Sequence, residues 1–267
     1  MYAEVAKISG IDDAIIAMLY SKKSITPDKA REIRELVARV TDSNGFMRSD
    51  VSTEDEIAFI EHLNKVMKYG IQFEHETLLS FIDITIQIWG LHRAGQDDWD
   101  AHAYRFHNRI VRSSTRLAKF TGAEKSSYYD GKVLTTEEVI ATHGGDIPQT
   151  INHDGAEFTR VYGIGYVRTD LLDEQDVIRG LYRLEIPSNN ITKINFRELR
   201  HVYHMRNSMT HAHPEVQFAV EQVRNDFANK MPILYDKLGK VWAYIEGQNG
   251  YGYVERYNCK YHVVSDK

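Results

Sequence analysis

The sequence predicts an α+β fold, a single domain with a mostly antiparallel sheet flanked by long helices. Apolar residues recur at helical spacing in several segments, and segments rich in β-branched residues lie between them. The 267-residue chain shows neither an internal repeat nor a low-complexity linker. We therefore expect one domain that spans residues 1–267.

Local start and stop signals predict three helices near the N-terminus. Thr26 precedes Pro27, and this pair is typical of a helix start because threonine caps a helix and proline suits its first position. Ser52 with Asp55 resembles a capping box. The predicted helices run from Asp12 to Tyr20, from Pro27 to about Val40, and from Ser52 to a stop at Gly70.

The remaining elements follow from β-branched content and periodicity. We expect a strand with one polar face at Leu78–Trp89 and a second strand at Phe158–Val167. Residues 121–156 are predicted to form loops with a short element near Glu137–Thr142. Helices are predicted at Asp173–Leu184, Phe196–Met209 and Val216–Tyr235, and the Tyr-rich segment Gly247–Val264 is predicted to be a closing hairpin.

Composition excludes several classes of protein. The net charge of −5 argues against a general nucleic-acid binder. No apolar run is long enough to cross a membrane, and the N-terminus lacks a charged start followed by an apolar core. The single cysteine, Cys259, cannot form an internal disulfide, which fits a reducing compartment. We expect a cytoplasmic protein without membrane or nucleic-acid partners.

The segment from Arg105 to Arg116 is the strongest candidate for a binding site. If it is helical, its four arginines share one face, where they repel each other unless an anion binds. Arginine forks suit phosphate, and neighbouring serine hydroxyls add donors. The alternative is a solvated basic face balanced by aspartates just upstream. The residues concerned are Arg105, Arg109, Arg112, Ser113, Ser114 and Arg116.

A second basic cluster lies in the C-terminal half. Arg197, Arg200, His201 and His204 fall at helical offsets that place them on one face. Two basic faces in an acidic chain suggest two anionic ligands or one ligand with several phosphates. A metal site is the alternative, since imidazoles and a carboxylate recur at His201, His204, His211, His213 and Glu215. The neighbouring arginines would repel a cation, and we expect no metal.

These residues resemble the flavin-dependent thymidylate synthases. The hallmark of that family is Arg-His-Arg-x-x-Ser-x-Asn-Glu-x-Ser-x-Arg, and Arg105–Arg116 keeps the basic start and the final Ser114-x-Arg116. The family's Gly-His-Glu-Thr segment is similar to residues 74–77. Downstream similarities follow in the family's order: Arg183 four residues before Pro187, Asn195-Phe-Arg197, Met205-Arg206, His211-Ala212 and Glu215-Val216.

The resemblance implies a homotetramer with active sites between subunits. It further implies FAD as cofactor, NADPH and methylenetetrahydrofolate as co-substrates, and a pyrimidine nucleotide, most simply dUMP converted to dTMP, as substrate. By position, the nucleotide would contact Arg112, Ser114, Arg116, Arg183 and Arg206, with Ser114 and Arg206 as the catalytic pair. The flavin would contact His75, Thr77, Arg105, His107, Arg109, Asn195, Arg197, His201 and His211.

The chain departs from the family pattern near the expected nucleotide pocket. Its hallmark segment is one residue shorter, lacks the Asn-Glu pair and carries Arg112 near that place. These changes leave UMP or dCMP as alternative substrates, hydroxymethylation as an alternative outcome, and a nucleotide-binding protein without chemistry as an alternative function. We also expect a divergent insert near residues 121–170 and an additional tail after residue 240.

Overall fold

The computed structural model describes residues 1–21, 25–100, 109–112, 130–145, 147–161, 165–172, 188–207, 212–257 and 260–261. In these ranges the chain forms three antiparallel sheets together with helices. The predicted α+β class with antiparallel strands is confirmed. The predicted helix at Asp173–Leu184 lies outside the described residues.

The main sheet has four strands, which lie in the order β1 (Tyr2–Ser9), β2 (Asp83–Leu91), β8 (Ser188–Asn195) and β3 (Arg109–Arg112). In β2, Ile84, Ile86 and Ile88 are buried while Thr85 and Gln87 are half-buried, so the predicted polar face is confirmed. The strands of the chain are β1 (Tyr2–Ser9), β2 (Asp83–Leu91), β3 (Arg109–Arg112), β4 (Val133–Leu134), β5 (Thr150–His153), β6 (Ala156–Val161), β7 (Gly165–Arg168), β8 (Ser188–Asn195), β9 (Lys240–Ile245), β10 (Gly250–Tyr257) and β11 (Lys260–Tyr261).

Helices cover this sheet and share one apolar core with it. The fully buried side chains Phe59, Phe196, Tyr203 and Phe227 come from three different helices. The α-helices are α1 (Ile11–Ser21), α2 (Pro27–Val40), α3 (Thr53–Met67), α4 (Arg93–Asp100), α5 (Thr136–His143), α6 (Phe196–Arg206), α7 (Pro214–Lys230) and α8 (Pro232–Leu238). No helix in the described ranges is long and apolar enough to span a membrane.

The predicted caps of α2 and α3 are confirmed. Thr26 Oγ1 accepts from Lys29 N at 3.2 Å, and Ser52 Oγ accepts from Asp55 N at 3.2 Å. The predicted stop at Gly70 is wrong, because the chain continues as a π-helix over Lys68–Gln72. Gly70 is required there for close packing, since a Cβ at this position would lie 2.6 Å from the Leu79 side chain.

Two segments that were each predicted as one element form two elements in the structure. The helix predicted at Val216–Tyr235 is α7 followed by α8, because Pro232 has no N–H to continue α7 and begins a new helix instead. The strand predicted at Phe158–Val167 is β6 and β7, which pair antiparallel. The strand predicted at Leu78–Trp89 begins only at Asp83, because Glu76–Phe81 form a 3-10 helix that buries Leu78 and Leu79.

A small sheet of β4-β7-β6-β5 has a core of its own, formed by Val139, Ile151, Phe158 and Tyr166. The short element predicted near Glu137–Thr142 is α5, which begins with a capping box. The C-terminal hairpin is confirmed but begins earlier than predicted, because β9 supplies its first strand and pairs with β10.

Candidate functional site

Two distant segments meet at the N-terminus of α6. Arg197 Nε donates to Glu76 Oε2 at 2.9 Å across a sequence separation of 121 residues. His75 and Thr77 flank Glu76 and are exposed. Asn195 is buried and caps α6 by accepting from Glu198 N at 2.9 Å. Four of the residues that the sequence assigned to the flavin therefore lie in one neighbourhood.

Aromatic rings border this neighbourhood. The rings of Tyr69 and His75 are stacked with centroids 6.5 Å apart, and Phe73 lies 5.4 Å from Tyr69. Phe73 is exposed, and Lys68 Nζ lies 5.9 Å from its centroid. His201, one turn after Arg197 on α6, is half-buried. Exposed rings beside an arginine form a surface on which a flat, anionic molecule can stack.

The second cluster joins the end of α6 to α4. Arg206 Nη1 lies 3.0 Å from Asp98 Oδ1, with side-chain exposures of 15% and 22%. The other carboxylate oxygen, Asp98 Oδ2, accepts from the backbone N of His213 at 2.9 Å. Asp98 therefore holds Arg206 in place and compensates its charge in a mostly buried setting. Asp98 is one of the aspartates upstream of the arginine segment, and its pairing with Arg206 was not predicted from the sequence.

A buried acid–imidazole pair fixes α4 against α7. Glu215 Oε2 accepts from His92 N at 2.9 Å, and Glu215 Oε1 pairs with His92 Nδ1. Neither side chain is accessible beyond a few per cent. Gly95 allows this contact, because a Cβ there would lie 3.1 Å from Glu215 Oε2. The pair therefore positions the helix that carries Asp98.

The expectation that Arg200 and His204 belong to an anion-binding face is wrong. Both are buried, and both bond to carbonyls at the end of α8 or just after it. Arg200 Nε donates to Lys237 O at 3.2 Å and its Nη2 donates to Lys240 O, while His204 Nε2 lies 3.2 Å from Gly239 O. Basic groups stabilise the last carbonyls of a helix, so these two residues have a structural role.

Sequence reasoning missed Glu198. Its side chain is 2% exposed, and Oε2 has no hydrogen-bond partner among the described residues. Burial raises the pKa of this carboxyl, Arg197 opposes the rise, and Glu76 adds to it. A buried carboxyl beside the Arg197–Glu76 pair leaves no signal in composition or spacing, since a glutamate near the start of a helix is ordinarily exposed.

The predicted arginine helix at Arg105–Arg116 is wrong where the structure describes it. Residues 109–112 form β3, in which Arg109 stands opposite Lys193 and Arg112 opposite Asn190. Two β-branched residues, Ile110 and Val111, separate these arginines and favour a strand. The helical spacing that placed Arg109 and Arg112 together therefore does not apply. Other candidate residues lie outside the described residues, namely Arg105, His107, Ser114, Arg116, Arg183 and His211.

The metal alternative gains no support from the described residues. Within them, no group of three or more His, Cys, Asp or Glu side chains is placed to hold a metal ion. His201 and His204 have different surroundings, since His204 is buried against the end of α8.

Comparisons with known proteins find similarity in structure alone. No family profile matches the chain, and no curated protein matches it. One solved structure is a flavin-dependent thymidylate synthase from Helicobacter pylori in complex with FAD and dUMP; it is 14% identical, has a TM-score of 0.43, and the match covers 85% of this chain and 93% of that one. A second structure of thymidylate synthase X from Helicobacter pylori, with the same ligands, is 16% identical with a TM-score of 0.45 and coverage of 89% and 99%. Similarity of this size assigns no residue a role.

Proposed function

We propose that the protein is a flavin-dependent enzyme that transfers a one-carbon unit from methylenetetrahydrofolate to C5 of a pyrimidine mononucleotide, with NADPH as reductant. The main support is the contact between Glu76 and Arg197, which joins two segments that resemble the flavin-binding motifs of one family. The resemblance makes conversion of dUMP to dTMP the simplest form of this reaction. It also suggests a cytoplasmic homotetramer.

The residues around this contact fit FAD by their chemistry. Arg197, His75 and Thr77 are cationic or polar groups of the kind that hold phosphate and ribityl oxygens. Arg197 lies in the first turn of α6, where the backbone dipole favours anions. The stacked rings of Tyr69 and His75 provide an apolar surface. When bound, FAD would supply the redox chemistry, while the protein binds and orients the reactants.

The chain's own residues would bind and polarise the nucleotide. Arg206 would donate to the edge of the base. Asp98 fixes the position of its guanidinium and is itself held by a hydrogen bond from His213 N. We propose, from the resemblance, that Ser114, Arg116 and Arg183 hold the phosphate. The proposed chemistry requires no cysteine nucleophile, and Cys259 has no part in it.

Release of tritium from C5 tests the proposed reaction. The protein is incubated with FAD, NADPH, methylenetetrahydrofolate and a nucleotide tritiated at C5, namely dUMP, UMP or dCMP. Substitution at C5 releases tritium to water, and mass spectrometry of the nucleotide separates a methyl from a hydroxymethyl product. Release that depends on FAD and folate supports the proposal, and absence of release with all three nucleotides contradicts it.

A nucleotide-binding protein without chemistry is the second candidate. It is favoured by the carboxylate partners of Arg197 and Arg206, since Glu76 and Asp98 compensate the charge of two arginines that the reaction would use. Such a protein would bind a mononucleotide tightly and release no tritium.

A further inference from the structure

The Asp98–Arg206 pair differs from a lone arginine in what it can recognise. A lone guanidinium presents donors only, whereas this pair presents guanidinium donors next to carboxylate acceptors. Each Asp98 oxygen has one described partner, Arg206 Nη1 or His213 N, and a carboxylate oxygen accepts two hydrogen bonds. With 22% of its side chain exposed, Asp98 retains acceptor capacity that a ligand can reach.

The position of the carboxylate is fixed on three sides. Asp98 lies on α4, whose start is held to α7 by the buried pair of His92 and Glu215. Its own oxygens are held by Arg206 of α6 and by the backbone before α7. A carboxylate held in this way recognises a partner through complementarity, because it cannot turn away from a mismatched group.

We propose that Asp98 is a specificity-determining residue that accepts a hydrogen bond from the exocyclic amine of a cytosine base while Arg206 donates to the adjacent ring edge. This inference rests on the proposed function, which places Arg206 at the base. Carboxylates pair with the N4 amine of cytosine. In uracil the N3–H is flanked by two carbonyl oxygens, so a carboxylate that reaches it also faces an acceptor. The preferred substrate is therefore a cytosine mononucleotide such as dCMP.

Binding of dCMP and dUMP to the FAD-loaded protein tests this inference. Isothermal titration with each nucleotide gives two affinities for the wild type, for Asp98→Asn and for the control Asp97→Asn, which alters the exposed neighbouring residue on α4. We expect the wild type and the control to bind dCMP about tenfold more tightly than dUMP, within the range of one good base contact. The Asp98→Asn variant should lose most of this preference.

The other outcomes contradict the cytosine assignment, the role of Asp98 or the proposed function, and they can be told apart. Equal affinities in the wild type, or a preference for dUMP, would overturn the cytosine assignment and leave the proposed function intact. A dCMP preference that survives Asp98→Asn would remove Asp98 from the base edge. Failure of both nucleotides to bind protein that retains FAD would overturn the nucleotide part of the proposed function, and the inference with it. The wild-type ratio decides the substrate even if Asp98→Asn does not fold.

Discussion

At the scale of single residues, Arg197 and Arg206 each have a carboxylate partner, and the two pairs differ in accessibility. Arg197 and Glu76 are 35% and 49% exposed, whereas Arg206 and Asp98 are 15% and 22% exposed. An exposed ion pair contributes little and exchanges readily, whereas a mostly buried one is costly to separate. An anionic cofactor can therefore displace Glu76 from Arg197, while Asp98 stays with Arg206 when a ligand binds.

The exposed pair predicts that Glu76→Gln strengthens FAD binding. Removing the carboxylate removes a competitor for Arg197 and a charge that repels phosphate, and we expect affinity to rise about threefold to tenfold. Flavin fluorescence titration measures the change. Asp55→Asn, which alters an equally short ion pair with Arg39, serves as the control and should have no effect. Weaker binding in Glu76→Gln would instead show that Glu76 orients Arg197 for the cofactor.

Arg197→Ala removes the proposed phosphate contact itself. We expect FAD affinity to fall about tenfold to a hundredfold, because a charge-assisted hydrogen bond is lost. The matched control is Arg39→Ala, since Arg39 forms a comparable exposed ion pair between α2 and α3. Unchanged FAD affinity in Arg197→Ala would remove this residue from the cofactor site.

Glu198 predicts a stability that depends on pH. Burial raises the pKa of Glu198, so the folded chain favours the protonated carboxyl. The stability it contributes is present below the pKa of the unfolded chain and is lost as the pH rises through the raised folded pKa. Glu198→Leu should therefore gain stability over the wild type as pH rises.

Urea unfolding at about pH 4 and about pH 8, which lie below and above the ordinary pKa of glutamate, measures the free energy of unfolding of both proteins. We expect the stability advantage of Glu198→Leu to grow toward the higher pH, because burial disfavours the charged form of this carboxyl. The matched control is Glu56→Leu, which alters an exposed glutamate. An advantage for Glu198→Leu that is constant with pH would contradict a raised pKa of Glu198 in the folded chain.

At the scale of elements, the contact between α6 and the end of α8 predicts a structural role for Arg200. Arg200→Ala should lower the free energy of unfolding by about 2 kcal/mol, since its hydrogen bonds to Lys237 O and Lys240 O are lost. Its effect on nucleotide affinity should be small in the folded fraction. A large loss of nucleotide affinity with unchanged stability would restore Arg200 to a binding face.

Local signals predicted the elements that depend on local chemistry. Thr26-Pro27 and Ser52 mark helix starts by hydrogen bonds within one turn, and both helices begin there. Strand β1 was missed because its pattern is interrupted by charged residues and its pairing is with β2, about eighty residues away. The helix predicted at Arg105–Arg116 was wrong at residues 109–112 because pairing with β8 overrides spacing between arginines.

The sequence likewise predicted which segments of the site lie together, but it did not predict the partners of their side chains. Motif order correctly suggested that the segments around His75 and Asn195–Arg197 belong together. The partners of these residues were not predictable, because Asp98 reaches Arg206 only through the packing of α4 against α7. Spacing likewise grouped Arg200 with Arg197. In the structure the Arg197 side chain is partly exposed, whereas Arg200, one turn later on the helix, is buried.

At the scale of the whole molecule, the residues of the proposed site lie on elements that pack into the main core, and the small sheet has a separate core. The main sheet and its helices carry the Arg197–Glu76 and Arg206–Asp98 pairs, whereas β4–β7 have their own small core around Phe158 and Tyr166. Because ligands at the arginine clusters contact elements of the main core, they should stabilise that core against unfolding.

The proposed assembly predicts four chains in solution. Multi-angle light scattering of the purified protein should give a mass of four chain masses, with or without FAD. The expectation comes from the family resemblance, in which active sites lie between subunits. A stable monomer would contradict the proposed arrangement, and with it the idea that a neighbouring chain completes the site.

The most direct test of the central claim is an absorbance spectrum of the purified protein with added FAD, titrated with dCMP, dUMP and UMP. We expect protein-bound flavin bands that shift on addition of a pyrimidine mononucleotide, because the proposed flavin and base sites adjoin each other. A protein that binds no FAD under any condition would contradict the proposed function.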